Sequence, residues 1–203
     1  MIKPLVLLWV ALPVTAVAWW LTRGGSVPMS TVDAYLVNAP FSRESARWTA
    51  GNINIDGAGR LANARVIVQE FTAAGFSPLL ALAAVANANA ESSLDHRAIG
   101  DGGKSVGLFQ LHESGGGKGM SVAERQNPVL NARRMVAETR AAWRATWGGY
   151  RSLADAVAGG ATAAELAGLF AVHVERPADR DKAYQLRSAS VTTLFPGIDD
   201  AKG

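Results

Sequence analysis

The chain has no cysteine. No disulfide can staple it and no thiolate can hold a metal. Histidine is scarce: the three present, His96, His112 and His173, fall in no HExxH spacing. There is no EF-hand loop, and the Gly-rich stretch 113–119 has a single lysine, Lys118, without the spacing of a phosphate loop, so it reads as the flexible lip of a cleft. No metal and no cofactor are expected. Charged residues make up 18% of the chain and leave a formal net charge of +3, with a pI of about 9.5. That mild basic balance suits an anionic partner such as a cell-wall polymer or a membrane surface. It lacks the dense basic stripe that nucleic-acid binding requires. The basic residues Arg125, Arg133, Arg134, Arg140, Arg144 and Arg151 read as a solvated face.

What is present is enough for a core. The length of 203 residues suits one domain of common size plus an extension, and 49% of the residues are apolar. Residues 5–21, LVLLWVALPVTAVAWWL, carry no charge between Lys3 and Arg23. A membrane-spanning helix needs about 17–25 such residues, so the run is just long enough. Trp19 and Trp20 fall where indole rings favour the interface. Ala16-Val17-Ala18 also matches a signal-peptide cleavage site. The apolar run continues past that point, which favours an uncleaved anchor. Either alternative puts the rest of the chain across a membrane. Residues 1–23 thus read as an anchor or signal segment, 24–58 as a linker or arm, and 59–203 as the main domain.

Helical periodicity starts near Gly59. Residues 64–76 place Val66, Val68, Phe71 and Ala74 near one side, and Gly75 can end that helix. Ser77 is a suitable N-cap with Pro78 at the first helical position. Residues 78–93 are rich in Ala and Leu and predict a central buried helix. Residues 94–119 hold seven glycines between Gly100 and Gly117, besides Gly119, and predict a loop or hairpin. Helices are expected again from Pro128 to Gly148-Gly149, from Thr162 to Glu175 with a Thr162–Glu165 capping box, and from Ala178 to Leu194. The fold class is therefore mainly α with at most a small hairpin, preceded by one N-terminal apolar helix.

Glu91 lies where the apolar helix meets the Gly-rich loop. The helix can hold it rigidly while the loop leaves it open to substrate. Taken alone, a glutamate near a helix end is ordinarily solvated and structural. Its surroundings change the weighting. Glu91-Ser92-Ser93-Leu94, followed by Gly107-Leu108-Phe109-Gln110-Leu111, resembles the paired motifs of the lysozyme-like superfamily: soluble lytic transglycosylases, goose-type lysozymes and phage tail lysozymes. The two halves occur in the right order, 16 residues apart from Glu91 to Gly107. The stretch from Phe170 to Pro177, ending in Glu-Arg-Pro, resembles the late helix end of phage tail lysozymes. The third motif of classical transglycosylases, rich in Ala, Tyr and Asn, is absent.

The resemblance implies a lysozyme-like helical domain that cleaves peptidoglycan, with Glu91 as the general acid. Gln110 would hydrogen-bond substrate or position its N-acetyl group. Ser105 and Gly107 would shape the cleft, and His112 is a further candidate for sugar binding. Glu175 would be structural. A second carboxylate would decide the stereochemical route. Asp101, ten residues after Glu91 in a Gly-Asp-Gly-Gly loop, is the best candidate, although an Asp in such a turn often bonds its own backbone. Asp95 is expected to cap or to face solvent. Without a second carboxylate, attack by the substrate's own 6-hydroxyl would give a 1,6-anhydro product, as in lytic transglycosylases. The expected substrate is the β-1,4 bond between N-acetylmuramic acid and N-acetylglucosamine, and the expected setting is a phage virion or a bacterial envelope, with assembly proteins there as partners. Two other readings are a wall-binding module that does not cut and a membrane-disrupting protein driven by residues 5–21.

Overall fold

Pro78 opens the central helix because its missing N–H costs nothing in a first helical turn, and the Ser77 hydroxyl accepts from the Leu80 N–H at 3.2 Å. In the computed structural model, which describes residues 55–198, this helix is α2, Pro78–Ser92. Every residue from Leu80 to Ala88 is buried. Its small side chains let neighbours approach from several sides. α1 (Ala58–Ala73) packs on one flank, and α6 (Ala163–Phe170) and α7 (Arg180–Leu194) pack on others. Phe71 of α1, Phe170 of α6 and Phe109 form the aromatic part of the core, with ring centroids 6.1 and 6.2 Å from Phe170.

α2 ends at Ser93, which takes a left-handed conformation, as does Leu94 after it. The chain then forms a three-stranded antiparallel sheet. β1 (Ile99–Gly100) pairs with β2 (Ser105–Val106), and β2 with β3 (Leu111–His112). The expected hairpin is therefore present, with a 3-10 turn over Asp101–Gly103. Two short helices were not anticipated: α3 (Val122–Gln126) and α5 (Leu153–Ala158). α3 carries a full capping box between Ser121 and Glu124. α4 (Pro128–Ala142) packs on α1 and ends before the expected Gly148-Gly149.

The helix expected over 162–175 is present but changes character. After α6, residues Ala171–Glu175 widen into a π-helical turn, closed by a bond from the Arg176 N–H to the Ala171 carbonyl at 2.9 Å. Such turns are uncommon and are frequently found at functional sites. Thr162 caps α6 by accepting from the Glu165 N–H, while the Glu165 carboxylate pairs with Arg151. α7 lies close to α6 at Gly168, where a Cβ would come within 2.5 Å of the Tyr184 ring.

Two expectations need correction. Arg125 does not belong to a solvated face. It is buried, and its Nη1 donates to the carbonyls of Lys104 and Leu111. The stretch 113–119, expected as a flexible lip, is tied down: Arg134 Nε donates to the Gly116 carbonyl at 2.6 Å, and Gly117 is buried with Arg125 beside it. The apolar segment 5–21 and residues 24–54 of the expected linker lie outside the described residues. Among the described residues, no helix is long and apolar enough to cross a membrane, and no group of His, Asp and Glu side chains is placed to hold a metal ion.

Candidate active site

The last turn of α2 carries Glu91 at the edge of the core, with its side chain 29% exposed. The next residue fixes that edge. The Ser92 hydroxyl lies 3.0 Å from the Ala88 carbonyl and 2.9 Å from the Leu108 carbonyl, so it ties the helix end to the Gly-Leu-Phe-Gln segment. This bond is the physical reason the two halves of the sequence motif belong together. Asn63 of α1 adds a second tie, donating to the Leu94 carbonyl at 2.8 Å.

The sheet is held to the same frame by Asn131 of α4, which is fully buried. Its Nδ2 donates to the carbonyls of Arg125 and Val106, and its Oδ1 accepts from the Phe109 N–H. Gly107 sits against this residue with φ +85°. A Cβ there would lie 2.1 Å from the Arg125 carbonyl oxygen and 2.4 Å from Asn131 Nδ2. Its missing side chain therefore makes room for protein atoms.

The remaining predicted residues lie in and around the sheet. Ser105 is buried and its hydroxyl donates to Asp101 Oδ2 at 2.5 Å, while Asp101 itself is exposed in the 3-10 turn with φ 50°. Gln110, half-buried, donates its amide to the carbonyls of Ala98 and Gly107 and rests its Oε1 over Gly100. Its donors thus brace the sheet. His112 Nδ1 accepts from the N–H of Ser114 and shares a contact with that residue's hydroxyl. Asp95 is exposed and accepts from the Arg97 N–H at 2.9 Å, as a turn-capping residue does.

The structure gathers a different set around Glu91. Arg187 of α7 donates from Nη2 to Glu91 Oε1. The same nitrogen reaches Glu175 Oε2 at 3.5 Å. Glu175 stands at the end of the π-helical turn, with its side chain only 10% exposed. Burial, reinforced by the nearby Glu91 carboxylate, pushes the Glu175 carboxyl up to about 8, against the opposing pull of Arg187. Two carboxyl groups and one guanidinium, from three separate elements, therefore meet at one nitrogen atom.

In the sequence Glu175 reads as structural, and Arg187 carries no mark of a site residue. The Glu-Arg-Pro ending marked the position of Glu175, but its aim depends on the π-helical turn. Arg187 has no local signature, because its partners are 96 and 12 residues away.

A helical domain with a small three-stranded sheet, and a glutamate at the exposed end of its central buried helix, is the framework of a lysozyme-like glycosidase. The phage tail lysozyme family model matches residues 62–195, and the chain belongs to that family. Membership supports a lysozyme-like function in peptidoglycan cleavage. A comparison with curated proteins and one with solved structures each returned no match.

Proposed function

We propose that this domain cleaves the β-1,4 bond between N-acetylmuramic acid and N-acetylglucosamine, with Glu91 as the acid that protonates the leaving oxygen. The observation that carries this reading is the position of Glu91: held at the end of a buried helix and partly open to solvent. An acid needs that combination of fixed geometry and access. Asp101 is the candidate second carboxylate of a hydrolytic route, and Ser105, Gly107, Gln110 Oε1 and His112 are the candidate substrate contacts.

A second reading is a lytic transglycosylase, in which the substrate's 6-hydroxyl attacks and Glu91 serves as both acid and base. It is favoured by the surroundings of Glu91, where Arg187 is the contacting group and Asp101 instead stands exposed in the turn of the sheet. Mass spectrometry of products separates the two: a reducing end marks hydrolysis and a 1,6-anhydro end marks transglycosylation. Clearing of a wall-fragment suspension separates both from a module that only binds. A chain that binds fragments but leaves turbidity unchanged would contradict the enzymatic reading. Carriage in a phage virion suits the family, and an envelope anchor through residues 5–21 is the alternative.

A further inference from the structure

Buried polar atoms ordinarily find partners, so the exceptions call for an explanation. Two such atoms belong to neighbouring groups: Arg187 Nε, a donor, and Glu175 Oε1, an acceptor, are both buried and unpartnered. They belong to groups already in contact through Nη2 and Oε2 at 3.5 Å. The missing bond is the one that would complete a two-pronged arginine–carboxylate fork, with Nε on Oε1 and Nη2 on Oε2. Arg187 instead spends Nη2 on Glu91. The guanidinium is thus shared unevenly: Nη2 serves both carboxyls, while the second prong toward Glu175, from Nε to Oε1, is unmade.

We propose that Arg187 and Glu175 are positioning residues that control the proton of Glu91: one proton is shared between the two carboxyls, and the carboxylate that Arg187 leaves is the one that holds it. This rests on the reading of Glu91 as the acid. With Arg187 on Glu91, Glu175 carries the proton. When a sugar chain fills the cleft and displaces Arg187, the guanidinium completes its fork with Glu175. Glu175 then releases its proton and Glu91 takes one up, with solvent water as carrier at the open end of Glu91. One O–H bond breaks and one forms, and Arg187 stays a guanidinium throughout. The buried environment that raises the Glu175 carboxyl supports the first state. The ionisable groups facing Glu175 are Glu91 on α2 and Arg187 on α7. Glu138 on neighbouring α4 is paired with Arg134 and Arg176.

The test has two arms on the full chain. The first follows 13C-labelled glutamate side chains by NMR through a pH titration without substrate. One carboxyl signal should stay protonated well above the ordinary carboxylate range and vanish in Glu175→Gln. If no signal titrates there, or if the one that does vanishes in Glu91→Gln and survives in Glu175→Gln, the proposal fails. The second arm is the pH profile of peptidoglycan cleavage. In Glu175→Gln no partner competes for Arg187, so the alkaline limb should move down by a pH unit or more while activity at the acid end is kept. An unmoved limb, or a loss uniform across pH, would overturn the proposal. The NMR arm reads the shared proton even in a chain that cleaves nothing, so failure of the enzymatic reading stays distinguishable from failure of this one.

Discussion

Arg187 of α7 is ion-paired with Glu91 of α2 across 96 residues of sequence. The contact makes the last helix part of the site, although α7 carries none of the recognisable motif. It also places a fixed positive charge at the C-terminal end of α2, where the carbonyl-rich terminus favours a cation. Removing one partner of a part-buried, hydrogen-bonded charge cluster costs about 1–3 kcal/mol. Arg187→Met should therefore lower both stability and activity. Denaturant unfolding checks the first and wall clearing the second.

The protonation of Glu175 has a consequence for stability, and its sign follows directly. The carboxyl is raised in the folded chain to about 8 from an ordinary 4.5. Between those values the folded chain keeps a proton that the unfolded chain has released. The contribution of this residue is therefore full below about 4.5 and is lost as pH rises toward about 8. The melting temperature of the native chain should fall across that window relative to Glu175→Gln, measured by thermal unfolding at several pH values. Parallel curves for the two chains would contradict it.

Gly107→Ala should be among the most damaging single methyl additions in the described domain. The residue sits at φ +85°, and the added carbon meets a main-chain oxygen at 2.1 Å. Strain and overpacking together should cost about 3 kcal/mol. Chemical denaturation measures the loss. Because the clash is with Arg125 and Asn131, loss of fold should account for the loss of activity.

Gly168→Ala probes the distance between α6 and α7. The new methyl would press on the Tyr184 ring at 2.5 Å and on Ser188 Oγ at 2.6 Å. A cost of about 1–3 kcal/mol is expected. Pushing α7 outward would also move Arg187 away from Glu91. Activity should fall further than the folded fraction does, which a comparison of unfolding curves with cleavage rates would reveal.

Asn131→Ala removes three buried hydrogen-bond contacts that hold the sheet and α3 to α4. The orphaned main-chain groups should cost about 2–4 kcal/mol. Asn131→Asp keeps the acceptor for the Phe109 N–H but loses both donor contacts and buries a charge, so it should rescue little. Thermal unfolding of the pair checks this ordering.

The elements legible in the sequence are those whose causes are local. α2 could be read from Ser77, Pro78 and an unbroken Ala/Leu run, and Glu91 from its place between that run and the glycines. The sheet was readable as a hairpin because Gly100, Gly102 and Gly103 break helical period. α3 was missed although its Ser121–Glu124 capping box was there to be read, since five residues are too few to show periodicity. Arg125 was misplaced because its partners are main-chain carbonyls, which leave no mark in a charge pattern. The cluster around Glu91 was out of reach for the same reason: Arg187 and Glu175 are brought to it by helix packing and by a π-helical turn.

Glu91 carries the chemistry in this account, so the most direct test exchanges its acid for an amide of the same shape. Cleavage of purified peptidoglycan by Glu91→Gln should fall by about 100-fold or more, the usual loss for a missing acid–base group, with the folded structure retained by circular dichroism. Cleavage by that variant at close to the native rate would contradict the account.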